Sequence, residues 1–286
     1  MIKSELENSI YKIGELKEFQ IKSFSSRFGG SINEVFLLDT SEGKYILKLN
    51  DLLRYPGMFD SEKEGLQALG STMAIDVPEV VGVGHVDTTA YLLLEFKPEA
   101  PQHPDFEEIF GKNLADLHKN TSENFGFRTP NYIGSLPQYN EECPTAAEFF
   151  LSQRLEPQFK MAADNGFSFA SQARVMKNIE SAIPDEAPSL IHGDLWAGNH
   201  LVNDKGLPCL IDPAVSFGPR EMDLAMMKLF GGFSEEIFRA YNSHFPLPAG
   251  FEERISLWQL YYLLVHLNLF GTGYLNSVNR ILHQYG

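Results

Sequence analysis

The first third of the chain alternates between short apolar runs and turns, a pattern typical of β-strands. Residues 21–28, 34–39, 44–49 and 90–96 are rich in aliphatic and aromatic side chains, partly alternating with polar ones, which predicts four strands. Residues 59–69 place apolar side chains among charged ones at helical spacing, which predicts one α-helix. We therefore expect a small sheet accompanied by a single helix in this part of the chain.

From residue 105 onward the hydrophobic period becomes helical. Helices are predicted at residues 105–118, 146–163, 169–182, 220–230 and 255–270. Residues 122–144 contain Gly, Pro and Asn throughout and are interpreted as a loop. Two short strands, 201–203 and 209–211, flank a turn at Gly206. The pattern therefore indicates a mainly helical second part.

The two parts are joined by Lys97-Pro98-Glu99-Ala100-Pro101, which looks like a short linker. We therefore predict an α+β fold of two lobes. The N-lobe, residues 1–97, holds a small antiparallel sheet, and the larger C-lobe, residues 98–286, is mainly helical.

Charge and composition exclude some classes of function. The formal net charge is -15, whereas broad nucleic-acid binding needs a basic surface. The N-terminus lacks an export-signal pattern, and no apolar run is long enough to span a bilayer. Cys143 and Cys209 do not have metal-site spacing. We expect a cytoplasmic protein that binds neither nucleic acid nor membrane.

The strongest chemical signal is the segment from His192 to Asn199, His-Gly-Asp-Leu-Trp-Ala-Gly-Asn, followed by Asp212 after an apolar run. Asp194 and Asn199 are five positions apart, as are the base and the metal-binding Asn of kinase catalytic loops. Phosphoryl transfer needs metal ions to neutralise spread negative charge and a group that accepts the proton of the nucleophile. A plain surface turn is the alternative, but the ordered set favours a phosphotransferase.

A candidate phosphate-binding set precedes this loop. Gly29-Gly30-Ser31 could cradle phosphates with backbone N–H groups, although most glycine pairs are merely turns. Lys48, on the strand that follows, matches the lysine that contacts the α- and β-phosphates; a surface lysine is the alternative. Its carboxylate partner is Glu62 or Glu64, which face different sides of the helix. We favour Glu62, four positions before Leu66, although both carboxylates could instead be solvated.

These motifs resemble the fructosamine kinase (ketosamine 3-kinase) family, within the aminoglycoside-phosphotransferase and protein-kinase-like superfamily. The matching segments include Gly29–Asn33, Met58–Phe59 with Glu62, Val77–Val80, Asn131–Ser135 with Pro137–Gln138, His192–Asn199, Ile211–Val215, Arg220–Ala225, Phe230–Phe233 and His266–Gly271. The resemblance covers nearly the whole chain and implies a bilobal protein-kinase-like fold.

The resemblance implies an ATP- and Mg²⁺-dependent kinase that phosphorylates the C3 hydroxyl of ketoamines, sugar adducts of free or protein-bound amines. A phosphate on C3 next to the C2 carbonyl is a good leaving group, so the product would release the amine, which is deglycation. Fructosamine, ribulosamine and erythrulosamine all remain open as acceptors. We expect a monomer or weak dimer.

The resemblance also implies a role for each site residue. Asp194 would take the hydroxyl proton, and Asn199 and Asp212 would hold magnesium. Lys48, oriented by Glu62, would hold phosphates. The backbone N–H groups of Gly29, Gly30 and Ser31 would cover the phosphates. The backbone of the hinge residues Glu95 and Phe96 would contact the adenine.

Three residues are candidates for the acceptor site. Trp196 could stack on the sugar or its amine substituent, or could be a core tryptophan. His266 and Asn268 lie on an otherwise apolar helix, where a satisfied core histidine is equally compatible. Two further residues, Arg220 and Asp223, are expected to brace the catalytic loop through charge-assisted hydrogen bonds, with a substrate contact as the alternative. His192 is expected to fix the geometry of the loop.

One position departs from the family pattern. Several family members carry a glycine-loop cysteine linked to redox control through an intermolecular disulfide, whereas this chain has Ser31, so we expect no such switch. Two rival functions stay open: a related kinase acting on an aminoglycoside, choline or another sugar, and a nucleotide-binding protein without catalysis.

Overall fold

The structure is a computed structural model that describes residues 9–10, 20–27, 32–170 and 172–286. The chain divides into two compact units. The sheet unit contains the described residues up to His103 together with Leu201–Asp212, and the helical unit contains Pro104–His200 and Pro213–Gly286. The segment 201–212 therefore groups with the sheet, far from it in sequence.

Eleven strands are found in the described residues, in chain order β1 Ile21–Arg27, β2 Glu34–Thr40, β3 Lys44–Asp51, β4 Val80–Val86, β5 Thr89–Glu95, β6 Asn131–Ile133, β7 Leu136–Gln138, β8 Ser189–Ile191, β9 His200–Val202, β10 Pro208–Leu210 and β11 Ser216–Gly218. The α-helices given residue bounds are α1 Met58–Ser71, α2 Phe106–His118, the short α3 Ala146–Glu148, α4 Glu156–Asp164, α5 Gln172–Ala182, α6 Glu221–Phe230, α7 Glu235–His244, α8 Phe251–Phe270 and α9 Leu275–Tyr285.

The sheet unit is built on five antiparallel strands in the order β1-β2-β3-β5-β4. Alternation along β3 sends Leu47 to one face, where it packs with Leu38 and Leu93. Ile46 lies on the opposite face, which α1 covers with Phe59 and Leu66. Lys48, two positions after Ile46, shares the α1 face, and this places its ammonium beside the helix.

The helical unit has α8 as its centre. Leu257, Trp258, Leu260 and Tyr261 of this helix are essentially buried, as predicted from its apolar circumference. Helices α6 and α4 pack against α8, and α2 packs against α7. The predicted α+β class, with an antiparallel sheet followed by mainly helical structure, is confirmed. Among the helices of the described part of the chain, none is long and apolar enough to cross a membrane.

Several elements differ from the sequence prediction. Residues 122–144, predicted as a loop, contain the β6–β7 hairpin, whose turn uses Gly134 at φ 58°. The helix predicted at residues 146–163 is interrupted by the π-helical segment Phe149–Leu155. Helices α7 and α9 were not predicted. The hairpin escapes prediction because its strands are only three residues long, too short to show a period.

Candidate active site

The sheet unit gathers two carboxylates around Lys48. The Lys48 Nζ donates to Glu62 Oε1 at 2.5 Å and to Asp212 Oδ1 at 2.5 Å. The side chains of Lys48 and Glu62 are only 6% and 10% exposed, whereas that of Asp212 is 45% exposed. The structure thus pairs Lys48 with the glutamate that the sequence favours, and adds the predicted magnesium ligand Asp212 to the same cluster.

Electrostatics keep Lys48 charged. Burial alone lowers the pKa of Lys48, but the adjacent Asp212 and Glu62 carboxylates outweigh it and raise the pKa above its ordinary value. Burial raises the pKa of Glu62, and the Lys48 ammonium acts against that rise. A buried ammonium held by two carboxylates is a fixed positive charge suited to phosphate oxygens.

Asp212 has an uncommon backbone conformation. Its φ of 55° places it in the left-handed region, which few residues other than Gly adopt, Asp and Asn being the most tolerant. Pro213 follows, and a residue before proline ordinarily prefers extended backbone. Such outliers concentrate at functional sites, so the conformation supports a functional role for this carboxylate.

The helical unit holds the predicted catalytic loop. The Asn199 Nδ2 donates to the backbone oxygen of Asp194 at 2.8 Å and to its carboxylate Oδ2 at 3.1 Å. The 3₁₀ turn Ala197–Asn199 brings the two residues together. Since the amide nitrogen of Asn199 serves Asp194, a metal ligand at Asn199 would be its Oδ1.

Asp223 braces this loop from behind. Its buried carboxylate accepts the backbone N–H groups of His192 at 2.7 Å and Gly193 at 2.8 Å, and lies 3.2 Å from His118 Nε2. Burial acts to raise the pKa of Asp223, but His118, His192 and the Gly193 N–H together lower it below the ordinary value. The predicted bracing role of Asp223 is confirmed, and His118 is an additional member that sequence reasoning missed.

Arg220 does not brace the loop, so that prediction is wrong. Its guanidinium donates to Glu186 Oε1 at 2.6 Å and to the carbonyl oxygens of Phe245 and Pro246. The guanidinium carbon lies 3.7 Å from the centroid of the Phe245 ring. Arg220 instead ties the end of α7 to the segment that precedes β8.

Gly193 is required by the geometry of the loop. Its φ is 83°, and a Cβ there would lie 2.1 Å from the carbonyl oxygen of Ala214. The Ala214 N–H in turn donates to the His192 carbonyl at 2.9 Å, and the Tyr262 hydroxyl donates to the Gly193 carbonyl at 3.1 Å. The backbone of residues 192–193 is therefore enclosed on several sides.

Trp196 is not a core residue. It is 42% exposed, and its ring lies over Gly198, where a Cβ would come within 2.2 Å of the indole. The core tryptophan is Trp258, fully buried, whose indole N–H donates to Glu221 at 2.7 Å. The exposure of Trp196 is compatible with stacking on a ligand.

The other two acceptor candidates have structural partners. His266 Nδ1 lies 2.8 Å from the Tyr262 carbonyl, and its ring is flanked by Phe230, Phe270 and Tyr274. Burial lowers the pKa of His266, which favours the neutral ring. Asn268 Nδ2 donates to the backbone and side-chain oxygens of Gln158 at 3.0 and 2.9 Å, so its amide nitrogen fastens α8 to α4.

The predicted hinge residues lie at the end of β5. The Glu95 N–H donates to the Glu79 carbonyl at 2.9 Å, and the Glu95 carboxylate pairs with Lys97 at 2.9 Å. The Phe96 ring lies 6.0 Å from Lys44 Nζ. The three glycine-loop candidates lie outside the described residues: Gly29, Gly30 and Ser31.

The side-chain oxygen atoms of Asp212 and of Asn199 are each of a type that binds magnesium. Within the described ranges, no group of three or more His, Cys, Asp or Glu side chains could hold a metal ion. Magnesium in kinases, however, takes only one or two protein oxygens and completes its shell with water and phosphate. The Asp212 carboxylate and the Asn199 amide oxygen are ligands of this type.

Comparisons with known proteins agree with the motifs. The family model described as "Fructosamine kinase" matches residues 5–285. A protein named as a probable ketoamine kinase from Enterococcus faecium is 38% identical, over 90% of this chain and 93% of its own length. A chloroplastic protein-ribulosamine 3-kinase from Arabidopsis thaliana is 36% identical, over 95% of this chain and 85% of its own.

Solved structures give the same result. The crystal structure of a protein assigned as a fructosamine-3-kinase, from Haemophilus somnus, superimposes with a TM-score of 0.90 at 26% identity, over 99% of this chain and 97% of that one. An aminoglycoside phosphotransferase shares the fold alone, with a TM-score of 0.66 at 18% identity. The predicted protein-kinase-like fold is thus confirmed, and the chain belongs to the fructosamine kinase family.

Proposed function

We propose that this chain is an ATP- and Mg²⁺-dependent kinase that phosphorylates the C3 hydroxyl of ketoamines, free or protein-linked. The observation that carries the proposal is the buried cluster of Lys48, Glu62 and Asp212 in a chain that matches the fructosamine kinase family over residues 5–285. Ketoamine and ribulosamine appear in the names of relatives at 36–38% identity, which supports the acceptor class.

On the nucleotide side, Lys48 holds the α- and β-phosphates and Glu62 fixes its direction. Asp212 and Asn199 are magnesium ligands. The metal supplies charge neutralisation for the transferring phosphoryl group. The Lys48 ammonium and the Asp212 carboxylate form an ion pair in the cluster. On nucleotide binding, the ammonium would contact phosphate oxygens and the carboxylate would contact the metal.

On the acceptor side, Asp194 orients the sugar hydroxyl and takes its proton. The Asn199 amide, which donates to the Asp194 backbone and carboxylate, holds the base in one direction. Trp196 stacks on the sugar or its amine substituent, an assignment supported by its exposed ring. His266 and Asn268 are weaker acceptor contacts, because each already has a structural partner.

The remaining assignments complete the proposal. Backbone N–H groups of Gly29, Gly30 and Ser31 cover the phosphates, and backbone groups of Glu95 and Phe96 meet the adenine. Residues 1–97 serve as the nucleotide-binding lobe and residues 98–286 as the catalytic and acceptor-binding lobe. The cytoplasmic location and the monomer or weak dimer stay predictions.

The test is an ADP-release assay coupled to a spectrophotometric readout, run over erythrulosamine, ribulosamine and fructosamine adducts of one amine. Kanamycin and choline are the comparison acceptors. We expect ADP release that depends on the ketoamine. We also expect the C3-phosphorylated product to decompose and release the free amine. Release with kanamycin or choline alone would overturn the acceptor class. Nucleotide binding without release on any acceptor would instead indicate a non-catalytic protein.

A further inference from the structure

Asp76 lies where three parts of the sheet unit meet. Its carboxylate Oδ1 accepts from Lys97 Nζ at 3.0 Å, and its Oδ2 accepts from Asn203 Nδ2 at 2.8 Å. Its backbone oxygen accepts the Leu210 N–H at 2.8 Å, within a parallel bridge to Cys209. Both carboxylate oxygens and the main chain of one residue are therefore engaged by segments far apart in sequence.

Asn203 is the residue that shapes the turn between β9 and β10. Its Oδ1 accepts the N–H groups of Lys205 and Leu207, both at 3.0 Å, which is how an asparagine side chain stabilises a tight turn. Asn203 is only 4% exposed. Its amide nitrogen donates to Asp76, and this buried hydrogen bond would be lost if the Asp76 carboxylate were removed.

Strand β10 carries this arrangement to the magnesium ligand. It ends at Leu210, two residues before Asp212. Within the sheet unit, the segment from Asn203 to Asp212 is thus held at both ends. Asp76 binds Asn203 and Leu210, and Lys48 binds Asp212. Asp76 itself follows α1, the helix that carries Glu62. Displacement at Asp76 would therefore shift Asp212 relative to both Lys48 and Glu62.

We propose that Asp76 is a positioning residue for Asp212, and that the magnesium-dependent part of nucleotide affinity depends on it. The inference rests on the proposed function, in which Asp212 is a metal ligand. Residues that orient a metal ligand, without touching the metal, typically change metal affinity about 10- to 100-fold when mutated. In this proposal Asp76 acts on Asp212 through β10 and makes no contact with substrate.

The test is the variant Asp76→Asn, in which one of the two donors, Lys97 or Asn203, would face an amide N–H instead of an oxygen. Titration calorimetry measures the Kd of ADP with and without Mg²⁺. We expect the Kd of MgADP to rise about 10-fold or more, while the Kd of metal-free ADP and the KM of the ketoamine stay within about twofold. The matched control is Asp116→Asn, which removes an exposed carboxylate paired with Lys119.

Rescue separates positioning from general stability. Asp76→Asn combined with Asn203→Asp exchanges donor and acceptor, so that the new amide at position 76 donates to a carboxylate at position 203. That carboxylate can still accept the two N–H groups of the turn. We expect most of the MgADP affinity to return. If Asp76→Asn does not fold, Asn203→Ser, too short to reach Asp76, is measured in the same way.

Each contrary result points to a different error. MgADP binding that is unchanged in folded Asp76→Asn, or that falls equally with and without Mg²⁺, overturns the positioning role alone. A wild-type protein that binds no MgADP overturns the proposed function itself.

Discussion

The Lys48 cluster and the catalytic loop are held in place by different physics. Lys48, Glu62 and Asp212 are joined by side-chain contacts between formal charges, each 2.5 Å long. The loop at His192 and Gly193 is held by main-chain hydrogen bonds to the buried Asp223 carboxylate and the Tyr262 hydroxyl. The first region fixes side chains, and the second fixes the backbone.

The difference predicts opposite consequences of mutation. In the cluster, a bound nucleotide would bring charges of its own that can replace some of the contacts among the three side chains. Mutations in the cluster should therefore change nucleotide affinity more than folding stability. In the loop, His192 and Gly193 are buried, so their backbone N–H groups need an acceptor whether or not a ligand binds. Supports of the loop should therefore govern stability, and Asp194 itself should govern turnover.

The largest expected effect separates chemistry from binding. In Asp194→Asn the amide keeps the size of the side chain, and the Asn199 contact to the backbone of residue 194 remains, but proton acceptance is lost. We expect kcat to fall by about 10²- to 10⁴-fold, the usual contribution of a general base. The Kd of MgADP should change less than about twofold, because the base acts on the acceptor. Turnover near the wild-type value would remove Asp194 as the base.

A smaller effect should appear in stability. Asp223→Asn leaves one of the two backbone N–H groups, at His192 or Gly193, facing an amide instead of an oxygen. Breaking a buried charged hydrogen-bond set of this kind destabilises by about 3 kcal/mol, measurable as the free energy of unfolding in urea. Equal stability of the two proteins at neutral pH would show that the loop does not need the carboxylate.

The pH dependence of that difference has a definite sign. The pKa of Asp223 is lower in the folded protein than the unfolded value of about 3.9. Its contribution is therefore complete above about pH 4 and is lost as pH falls through the folded pKa. The stability difference between wild type and Asp223→Asn should be constant above that pH and shrink below it. A difference that grew on acidification would contradict the lowered pKa.

Much of the site was predictable because its motif is local in sequence. Asp194 and Asn199 are five positions apart, and helix geometry alone decides between Glu62 and Glu64. Four of the five strands of the sheet follow from the apolar runs at 21–28, 34–39, 44–49 and 90–96, whereas β4 was not predicted. In each case, the feature depends on residues that are close together in sequence, so it can be predicted from their spacing or hydrophobic period.

The elements that were missed depend on distant partners. Asn131 and Gln138 read as loop residues, but they are buried on the β6–β7 hairpin, where they donate to the carbonyl oxygens of Val215 and Ala214. Arg220 was assigned to the loop, yet its partner Glu186 lies 34 positions away. Tertiary hydrogen bonds of this kind leave no periodic trace in the sequence, so only the fold identifies the partner.

The smallest predicted effect tests whether the cluster is tuned for ligand binding. Glu62→Gln removes one of the two carboxylate charges at Lys48 and leaves the Asp212 contact. The ammonium stays paired, but the charged hydrogen bond that fixes its direction becomes a weaker one to a neutral amide oxygen. We expect the KM of MgATP to rise about tenfold, equivalent to about 1.4 kcal/mol, as measured by initial rates at saturating ketoamine. The free energy of unfolding should change by less than about 1 kcal/mol, since the amide still accepts from Lys48.

The control for this prediction is built into the same helix. Glu64→Gln removes an identical charge two positions along α1, from a half-buried glutamate on a different face. If net charge alone set the nucleotide affinity, the two variants would behave alike. Each removes one negative charge from a chain of net charge -15, so each would weaken the repulsion of ATP by the same amount. If the direct Lys48 contact sets it, only Glu62→Gln raises the KM of MgATP. Equal shifts of the KM in both variants would mean that Glu62 acts through its charge alone and not through its contact with Lys48. The proposed contrast between the Lys48 cluster and the backbone-held loop would then be wrong.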